Sequence, residues 1–219
     1  RAHHPDALLV AGATDLGIGV NEGKLTSNRW IDLNRVIELR AIEQDDGDLV
    51  IGAAVPLQEA FDAMVPLWPS VAQLRDRFAG WPVRQSGTMG GNIANGSPIG
   101  DSMPCLMALS ATLLLRRGDK TRQVALDQFY TGQKKNILQA GEFIEAIDLP
   151  KPQPGHVFRA HKVSKRFEQD ISATCAAIAY RLNAGKLSDV RLAYNGLAPS
   201  PCRAPKLEAV LEGKAPEQV

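Results

Sequence analysis

The stretch of residues 86–101, SGTMGGNIANGSPIGD, constrains the fold more than any other part of the chain. It carries five glycines and the hydroxyl or amide side chains of Thr88, Asn92, Asn95 and Ser97, just ahead of an apolar run. Glycine lets a ligand approach the main chain closely, and successive free backbone N–H groups form a concave site for an anion. The composition therefore predicts a phosphate-binding loop, with an ordinary structural loop as the open alternative. It matches neither the P-loop nor the G-x-G-x-x-G fingerprint.

A second segment of small residues lies near the start of the chain. Residues 7–11 form an apolar run typical of a buried strand, and residues 16–20 resume an apolar pattern after Gly12-Ala13-Thr14-Asp15. A strand, a turn and a helix start would place free amides where anions are favoured. The alternative is a plain strand–helix turn, with Thr14 or Asp15 as the helix cap.

The composition excludes several other classes of function. The 219 residues suit one large domain or two small ones, and 25 basic against 24 acidic side chains give no global field for nucleic acid or anionic lipid. No apolar run approaches the roughly 20 residues of a membrane helix. The three cysteines stand far apart without a C-x-x-C motif, so neither an iron–sulfur cluster nor a zinc site is expected. They fit core positions in a reducing cytoplasm, and the scattered histidines predict no metal site.

Hydrophobic patterning and turn residues predict the elements of the chain. Before residue 150 we predict strands at 29–33, 37–42, 49–53, 111–116 and 143–149, a hairpin turn at 45–48, and helices at 57–64, 70–78 and 103–110, the last with Asp101-Ser102 as its cap. The proline-rich residues 150–155 predict a domain boundary. After it we predict strands at 156–164, 172–182 and 187–197 and a helix at 204–212.

Taken together, the small-residue segments resemble a known family. Residues 9–16 (LVAGATDL) and 87–95 (GTMGGNIAN) resemble the FAD-binding domain of the molybdenum hydroxylases, which include xanthine dehydrogenases and carbon monoxide dehydrogenase. The resemblance continues through residues 97–101 (SPIGD) and 164–172 (SKRFEQDIS), and the last block is most similar to xanthine dehydrogenase. It covers nearly the whole chain.

The resemblance implies an α+β fold with two parts. Residues 1–151 would be an FAD-binding domain of two α/β subdomains (PCMH-type), truncated at its start. Residues 156–219 would begin a small sheet-plus-helix C-terminal domain that is incomplete. The chain is therefore expected to be a segment of a longer protein.

The resemblance also implies which residues bind FAD. One side of the pyrophosphate would be wrapped by Leu9, Val10, Ala11, Gly12, Ala13, Thr14 and Asp15, and the other side by Thr88, Gly91, Asn92 and Asn95. Asp101 would bind a sugar or ribityl hydroxyl, and Lys162 would contact the cofactor. Phe78 and Ala79 would line the cofactor, and Ile144 would lie near the flavin. Ala13 and Asp15 depart from the larger amide and the glutamate that relatives can carry. A surface lysine remains the alternative for Lys162, and a core position the alternative for Phe78 and Ile144.

By this resemblance the chain is the FAD-binding electron-transfer part of a xanthine-dehydrogenase-like oxidoreductase of purine catabolism. It would pass electrons from iron–sulfur clusters through FAD to NAD⁺ or oxygen, in the cytoplasm. The clusters and the molybdenum cofactor would belong to partner domains or subunits, since these residues cannot build either, and we assign no catalytic residue and no metal ligand. The alternatives are the medium flavoprotein subunit of a carbon monoxide dehydrogenase or aldehyde oxidase, and a nucleotide-binding assembly module without redox turnover.

Overall fold

A computed structural model describes residues 3–218 of the chain. The described residues leave out Arg1, Ala2 and Val219. The expectation that both chain ends are truncated falls partly on these three residues. The helices are α1 (Leu16–Asn21), α2 (Leu57–Met64), α3 (Val71–Arg77), α4 (Trp81–Ser86), α5 (Met89–Asn95), α6 (Ser102–Ala108) and α7 (Pro205–Leu211). Short 3₁₀ turns lie at Ile37–Arg40, Leu126–Gln128 and Pro216–Gln218. No helix in residues 3–218 has the length and apolar character that crossing a membrane requires.

The strands form four sheets. They are β1 (Leu8–Val10), β2 (Trp30–Asp32), β3 (Ile42–Gln44), β4 (Asp48–Gly52), β5 (Thr112–Arg117), β6 (Lys120–Ala125), β7 (Tyr130–Gly132), β8 (Lys135–Asn136), β9 (Phe143–Pro150), β10 (His156–Ser164), β11 (Ser172–Asn183), β12 (Lys186–Tyr194) and β13 (Cys202–Arg203). Strands β1 and β2 are parallel, with Leu9 opposite Ile31. The central sheet has the order β3-β4-β9-β5-β6, the C-terminal sheet the order β10-β11-β12-β13, and β7 pairs with β8. The predicted α+β class, with a small sheet-plus-helix C-terminal part, is confirmed.

One hydrophobic core joins the central sheet to the C-terminal sheet. Phe61 and Met64 of α2 and Ile93 of α5 are fully buried in it, together with residues of the central sheet. Phe158 on β10 and Cys175 on β11 belong to the same cluster. Helix α7 covers the opposite face of the C-terminal sheet, over a second cluster that contains Leu187, Val190 and Leu192. Burial against this shared core therefore stabilises the C-terminal sheet.

Most predicted elements form where the sequence places them. Helix α2 spans the predicted residues 57–64, and the turn at 45–48 joins β3 to β4, because the Asp45 carboxylate accepts the N–H groups of Gly47 and Asp48. The predicted strand at 37–42 is wrong over its first part, where Ile37–Arg40 forms a 3₁₀ turn. Only Leu39 of this turn is buried, so the apolar run has no sheet face to cover. The predicted strand at 187–197 ends at Tyr194.

The three cysteines fall into two environments. Cys105 on α6 and Cys175 on β11 are buried, as expected for core residues, whereas Cys202 is half-buried. The neighbouring Cys175 thiol and then burial raise the pKa of Cys105 well above its ordinary value. Because the thiolate is the reactive form, this thiol is inert in the folded protein.

We expect one fast-reacting thiol per native chain and three per denatured chain. The measurement is titration with Ellman's reagent at pH 8, before and after guanidinium chloride. Replacing Cys202 with Ser removes the fast phase and leaves the denatured count at two. Two or more fast thiols in the native protein would contradict the buried placement of Cys105 and Cys175.

Candidate functional site

The two small-residue segments of the sequence meet in the fold. Gly12, which follows β1, packs against the main chain at the end of α4, where a Cβ on Gly12 would lie 1.9 Å from the carbonyl oxygen of Ser86. The Thr14 hydroxyl oxygen lies 3.2 Å from the position of a Cβ on Gly87. Only glycine allows the two backbones to approach this closely. Segments that are more than 70 residues apart in the sequence thus form one surface, as the positions of Gly12 and Ser86 show.

The turn between β1 and α1 exposes a row of backbone N–H groups. Strand β1 holds Leu9 and Val10, and the side-chain amide of Asn34 donates to the Ala11 carbonyl at 2.9 Å, which ties the turn to the chain after β2. Ala13 adopts a left-handed conformation with φ 54°. Within residues 3–218, the N–H groups of residues 12–15 find no acceptor. Such a run of unpaired amides around a left-handed residue forms a concave binding site for an anion.

Neither residue proposed as a cap of α1 uses its side chain in that way. Asp15 occupies the N-cap position but makes no side-chain hydrogen bond to the first turn. Ala13, Thr14 and Asp15 are all exposed. Their polar groups are therefore free to meet a ligand rather than committed to the helix.

The glycine-rich stretch is a loop only in part, which corrects the prediction: residues 89–95 form α5, whereas residues 87–88 and 96–101 lie outside helices and strands. Helices α4 and α5 occupy most of its first half, and the N–H groups that open α5 are already paired. Met89 N–H donates to the Val55 carbonyl and Gly90 N–H to the Ala53 carbonyl, both at 3.0 Å. A Cβ on Gly90 would lie 2.5 Å from the Ala53 Cβ, so glycine here serves helix–sheet contact. The first turn of α5 is thus already paired within the fold, whereas the amides of residues 12–15 on the first segment are free.

The four predicted cofactor residues of α5 and its cap lie on one short stretch but differ in environment. The buried Thr88 caps the helix, because its hydroxyl accepts the Gly91 N–H at 3.1 Å. Gly91 itself is exposed, and a Cβ there would meet the Thr88 hydroxyl at 2.8 Å. The Asn92 side-chain carbonyl accepts the Ser102 hydroxyl at 2.5 Å. The half-buried Asn95 side chain makes no hydrogen bond with the described part of the chain.

Asp101 and Lys162 form a buried ion pair. The Lys162 Nζ lies 2.9 Å from Asp101 Oδ2, and both side chains are 4% exposed. The alternative of a surface lysine is therefore wrong for Lys162. Asp101 occupies the N-cap position of α6 without a side-chain cap hydrogen bond, which corrects its predicted role as a cap. Its carboxylate turns instead to Lys162 and the C-terminal sheet.

Phe78, Ala79 and Ile144 lie at or near the same core. Phe78 is buried against Phe61, with ring centroids 5.4 Å apart, and Ile144 on β9 is 5% exposed, so both occupy core positions. Ala79 is half-buried and adopts φ 46°, a left-handed conformation. The buried guanidinium of Arg84 donates to the carbonyls of Phe78 and Ala79 at 2.8 and 3.0 Å, which holds this bend.

An open apolar cavity adjoins the first segment. Its volume of about 470 Å³ falls within the range of small-molecule sites, and Val10, Ala13, Leu16 and Trp30 contribute to its wall. An apolar wall beside unpaired amides suits a ligand with both an aromatic group and a phosphate. Among residues 3–218, no cluster of three or more His, Cys, Asp or Glu side chains is arranged to hold a metal ion.

Three residues contact the predicted site without having been predicted. Arg84 holds the Phe78–Ala79 bend, and Ser172 and Asn195 donate to Asp101. The Asn195-Gly196 pair is a turn signal after a strand, and it was the one visible sign of a special position. Ser172 ends the block of residues 164–172 that resembles the family, but the block gave it no role, and nothing in the local pattern around Arg84 distinguishes it from a surface residue.

Two family models match this chain. A model described as "FAD binding domain in molybdopterin dehydrogenase" matches residues 1–152, and one described as "CO dehydrogenase flavoprotein C-terminal domain" matches residues 159–219. The two matches meet near the proline-rich residues 150–155.

Curated relatives of the chain include both subunits and whole enzymes. The chain is 32% identical over 211 residues to the xanthine dehydrogenase FAD-binding subunit of Escherichia coli O157:H7, covering 94% of this chain and 72% of that subunit. It is 31% identical over 228 residues to the xanthine dehydrogenase of Emericella nidulans, covering 98% of this chain. The chain spans 17% of the length of that fungal enzyme and of the xanthine dehydrogenase/oxidase of Gallus gallus.

Solved structures show the same fold. A chain of the carbon monoxide dehydrogenase of Hydrogenophaga pseudoflava superposes with a TM-score of 0.89 at 30% identity, covering 96% of this chain and 74% of that one. A chain of the quinoline 2-oxidoreductase of Pseudomonas putida 86 gives a TM-score of 0.85 at 27% identity, covering 98% of this chain and 75% of that one.

Proposed function

The chain belongs to the family of FAD-binding domains of molybdopterin dehydrogenases, and from that membership we propose that it is the FAD-binding, electron-transfer part of a xanthine-dehydrogenase-like oxidoreductase. The observation that carries the proposal is the meeting of Gly12 with Ser86 and Gly87, next to the unpaired amides of residues 12–15. We further propose that residues 1–151 form the FAD-binding domain and that residues 156–219 begin the C-terminal domain.

The residues present fit FAD in two respects. The unpaired amides of residues 12–15 offer donors for the pyrophosphate, and the apolar cavity beside them offers a wall for an aromatic group. Nanomolar binding needs about −12 kcal/mol, whereas a hydrogen bond to a charged group contributes only about 1.5–3 kcal/mol. Residues 9–15 alone are therefore insufficient. The remaining contacts with FAD would come from Thr88, Gly91, Asn92, Asn95, Asp101 and Lys162. Phe78, Ala79 and Ile144 would lie on the flavin side.

The protein would bind FAD, orient it and tune its electronic properties, whereas the cofactor itself carries the redox chemistry. When bound, FAD supplies a relay for electrons between iron–sulfur clusters, held with the molybdenum cofactor in partner domains or subunits, and NAD⁺ or oxygen as acceptor. The chain's own tasks are to neutralise the pyrophosphate, to exclude water through the Phe78 and Ile144 side of the core, and to hold the Lys162 ammonium in a fixed place. The three free cysteines support a reducing compartment, the cytoplasm.

A second candidate is the medium flavoprotein subunit of a carbon monoxide dehydrogenase. The similarity to the Hydrogenophaga chain favours it as much as the Escherichia coli relative favours the xanthine type. Both candidates assign this chain the same role and differ in the molybdenum part and its substrate. Because any substrate contacts lie in that part, the test below addresses the shared role.

Heat-denatured protein is expected to release FAD, identified by chromatography against authentic FAD and FMN. FAD differs from FMN by its pyrophosphate and adenosine, which are the groups that the amides of residues 12–15 and the adjoining cavity are suited to hold. The full chain is purified, incubated with an equimolar mixture of FAD and FMN, and desalted before denaturation. Retention of FMN in preference to FAD, or of neither, would contradict the proposal.

A further inference from the structure

The carboxylate of Asp101 is held by side chains of the C-terminal sheet. Oδ1 accepts the Ser172 hydroxyl at 2.6 Å and the Asn195 side-chain amide at 2.8 Å, while Oδ2 faces Lys162. Ser172 begins β11, Lys162 lies on β10 and Asn195 directly follows β12. One carboxylate thus receives three donors from three segments of the C-terminal part.

The orientation of the Asn195 amide is set by its other contacts. Its Oδ1 accepts the Cys175 N–H at 2.5 Å, and because a backbone N–H is always a donor, the side-chain NH₂ must point to Asp101. Asn195 is fully buried, so it has no water to replace either partner. The next residue, Gly196, has φ 75° and donates to the Pro98 carbonyl at 2.9 Å, which ties the same corner to the glycine-rich stretch.

Lys162 keeps one donor uncommitted. An ammonium has three N–H groups, and Lys162 donates one to the Arg77 carbonyl at 3.1 Å while its charge pairs with Asp101 Oδ2 at 2.9 Å. Arg77 immediately precedes Phe78 and Ala79, the bend at the predicted flavin side. In return, the Arg77 guanidinium donates to the Lys162 carbonyl at 2.6 Å. The ammonium is therefore fixed from both sides, next to the place where the cofactor would lie.

We propose that Ser172 and Asn195 are positioning residues of the FAD site, which hold Asp101 so that Lys162 presents its charge and its free N–H to the bound cofactor. The inference rests on the proposed function and extends it to the C-terminal sheet. Donors on Oδ1 absorb part of the Asp101 charge, so Asp101 neutralises Lys162 less completely than a bare carboxylate would. Loss of the Ser172 hydroxyl leaves more negative charge facing Lys162.

This arrangement has a consequence for the redox balance of the flavin. Charge close to the flavin ring tunes its electronics, and a positive charge stabilises the reduced, more negative form. A Lys162 ammonium that is more fully neutralised by Asp101 stabilises that form less. Loss of the Ser172 hydroxyl is therefore expected to shift the potential in the negative direction and to weaken FAD binding.

The test compares Ser172→Thr with Ser172→Val in the full chain. The two side chains have the same shape, but only threonine keeps the hydroxyl. We expect the valine variant to bind FAD about tenfold more weakly than the threonine variant. We also expect the ratio of its affinities for reduced and oxidised flavin to be three- to tenfold lower than that of the threonine variant. A tenfold lower ratio corresponds to a potential about 30 mV more negative for a two-electron couple. The measurements are FAD titration by fluorescence quenching and dye-equilibrated redox titration, with thermal melts of the apoprotein to follow stability.

Ser70→Ala is the matched control, because the Ser70 hydroxyl also bridges to the C-terminal sheet, at the Phe158 carbonyl, without touching Asp101. Its affinity and potential should stay within twofold of the parent. Ser172→Ala removes the same hydroxyl without the added branch and serves if the valine variant does not fold. Equal affinities and potentials for the threonine and hydroxyl-free variants would overturn the inference alone. A parent chain that binds no FAD would overturn the proposed function and the inference with it.

Discussion

Replacing Gly12 with Ala is expected to reduce FAD affinity about a hundredfold, equivalent to about 2.8 kcal/mol. It is also expected to lower the free energy of unfolding of the apoprotein by about 1–3 kcal/mol, the usual cost of overpacking. The new methyl would lie 1.9 Å from the Ser86 carbonyl oxygen and 2.6 Å from the Gly87 Cα, both backbone atoms that cannot rotate away. Gly12 does not adopt a left-handed conformation, so the cost comes from space alone. The two small-residue segments must separate to admit it.

Gly47→Ala is the control for this prediction. Gly47 lies in the turn between β3 and β4, outside the predicted site, and a Cβ there would meet only Asp45 Oδ1, at an ordinary contact distance of 3.6 Å. It does not adopt a left-handed conformation. Because alanine at such a position lowers the conformational entropy of the unfolded chain, this variant should keep FAD and unfold no more easily than the parent. Denaturant unfolding and FAD titration of the two variants give the comparison. Equal behaviour of Gly12→Ala and Gly47→Ala would mean that the contact at Ser86 does not shape the site.

The elements that sequence patterns predicted well are those whose signals lie within the element itself. Helix α2 has its apolar residues at helical spacing, and the Asp45–Gly47–Asp48 turn carries its own hydrogen-bonding side chain. The three long C-terminal strands likewise show continuous strand patterns. The 3₁₀ turn at Ile37–Arg40 was missed because an apolar run alone does not say whether a sheet is available to pair with it.

The free amides of the first segment were predicted from its pattern of strand, small-residue turn and helix, whereas the pairing of the amides on the second segment was not. Five glycines in sixteen residues indicated unpaired N–H groups on the second segment. The Met89 and Gly90 amides are instead taken by the carbonyls of Val55 and Ala53, which follow strand β4 of the central sheet. A composition cannot show that a distant strand end supplies acceptors. The first segment has only one glycine, yet its turn leaves the amides of residues 12–15 free.

The surroundings of Asp101 were beyond prediction for the same reason. Its partners Ser172 and Asn195 lie 71 and 94 residues further along the chain. The local pattern of Asp101-Ser102 before an apolar run favoured a helix cap, which is the commonest use of aspartate there. Tertiary contact overrode that preference, because a buried lysine needs a counter-charge and a cap does not supply one.

We expect Asp101→Asn to lower the free energy of unfolding by about 3–5 kcal/mol, the cost of removing one partner from a buried ion pair. The Lys162 ammonium, with its side chain 4% exposed, would then have no anionic partner and only neutral acceptors such as the Arg77 carbonyl. The amide group of the new asparagine would also set a donor against one of the three donors that surround Asp101. Denaturant unfolding of the apoprotein measures the loss. Glu22→Gln is the control, because its ion pair with Lys24 is exposed and should contribute no more than about 1 kcal/mol.

A double-mutant cycle with Lys162→Met tests whether the loss comes from the pair itself. Methionine fills the lysine stem without a charge, so the combination Asp101→Asn with Lys162→Met leaves no unpaired ion in the site. Because replacing a whole buried pair costs less than breaking it, the double variant should be less destabilised than the sum of the two single variants. A coupling energy of about 1–3 kcal/mol is expected. Strict additivity would instead mean that Ser172 and Asn195, rather than Lys162, supply most of what stabilises the Asp101 carboxylate.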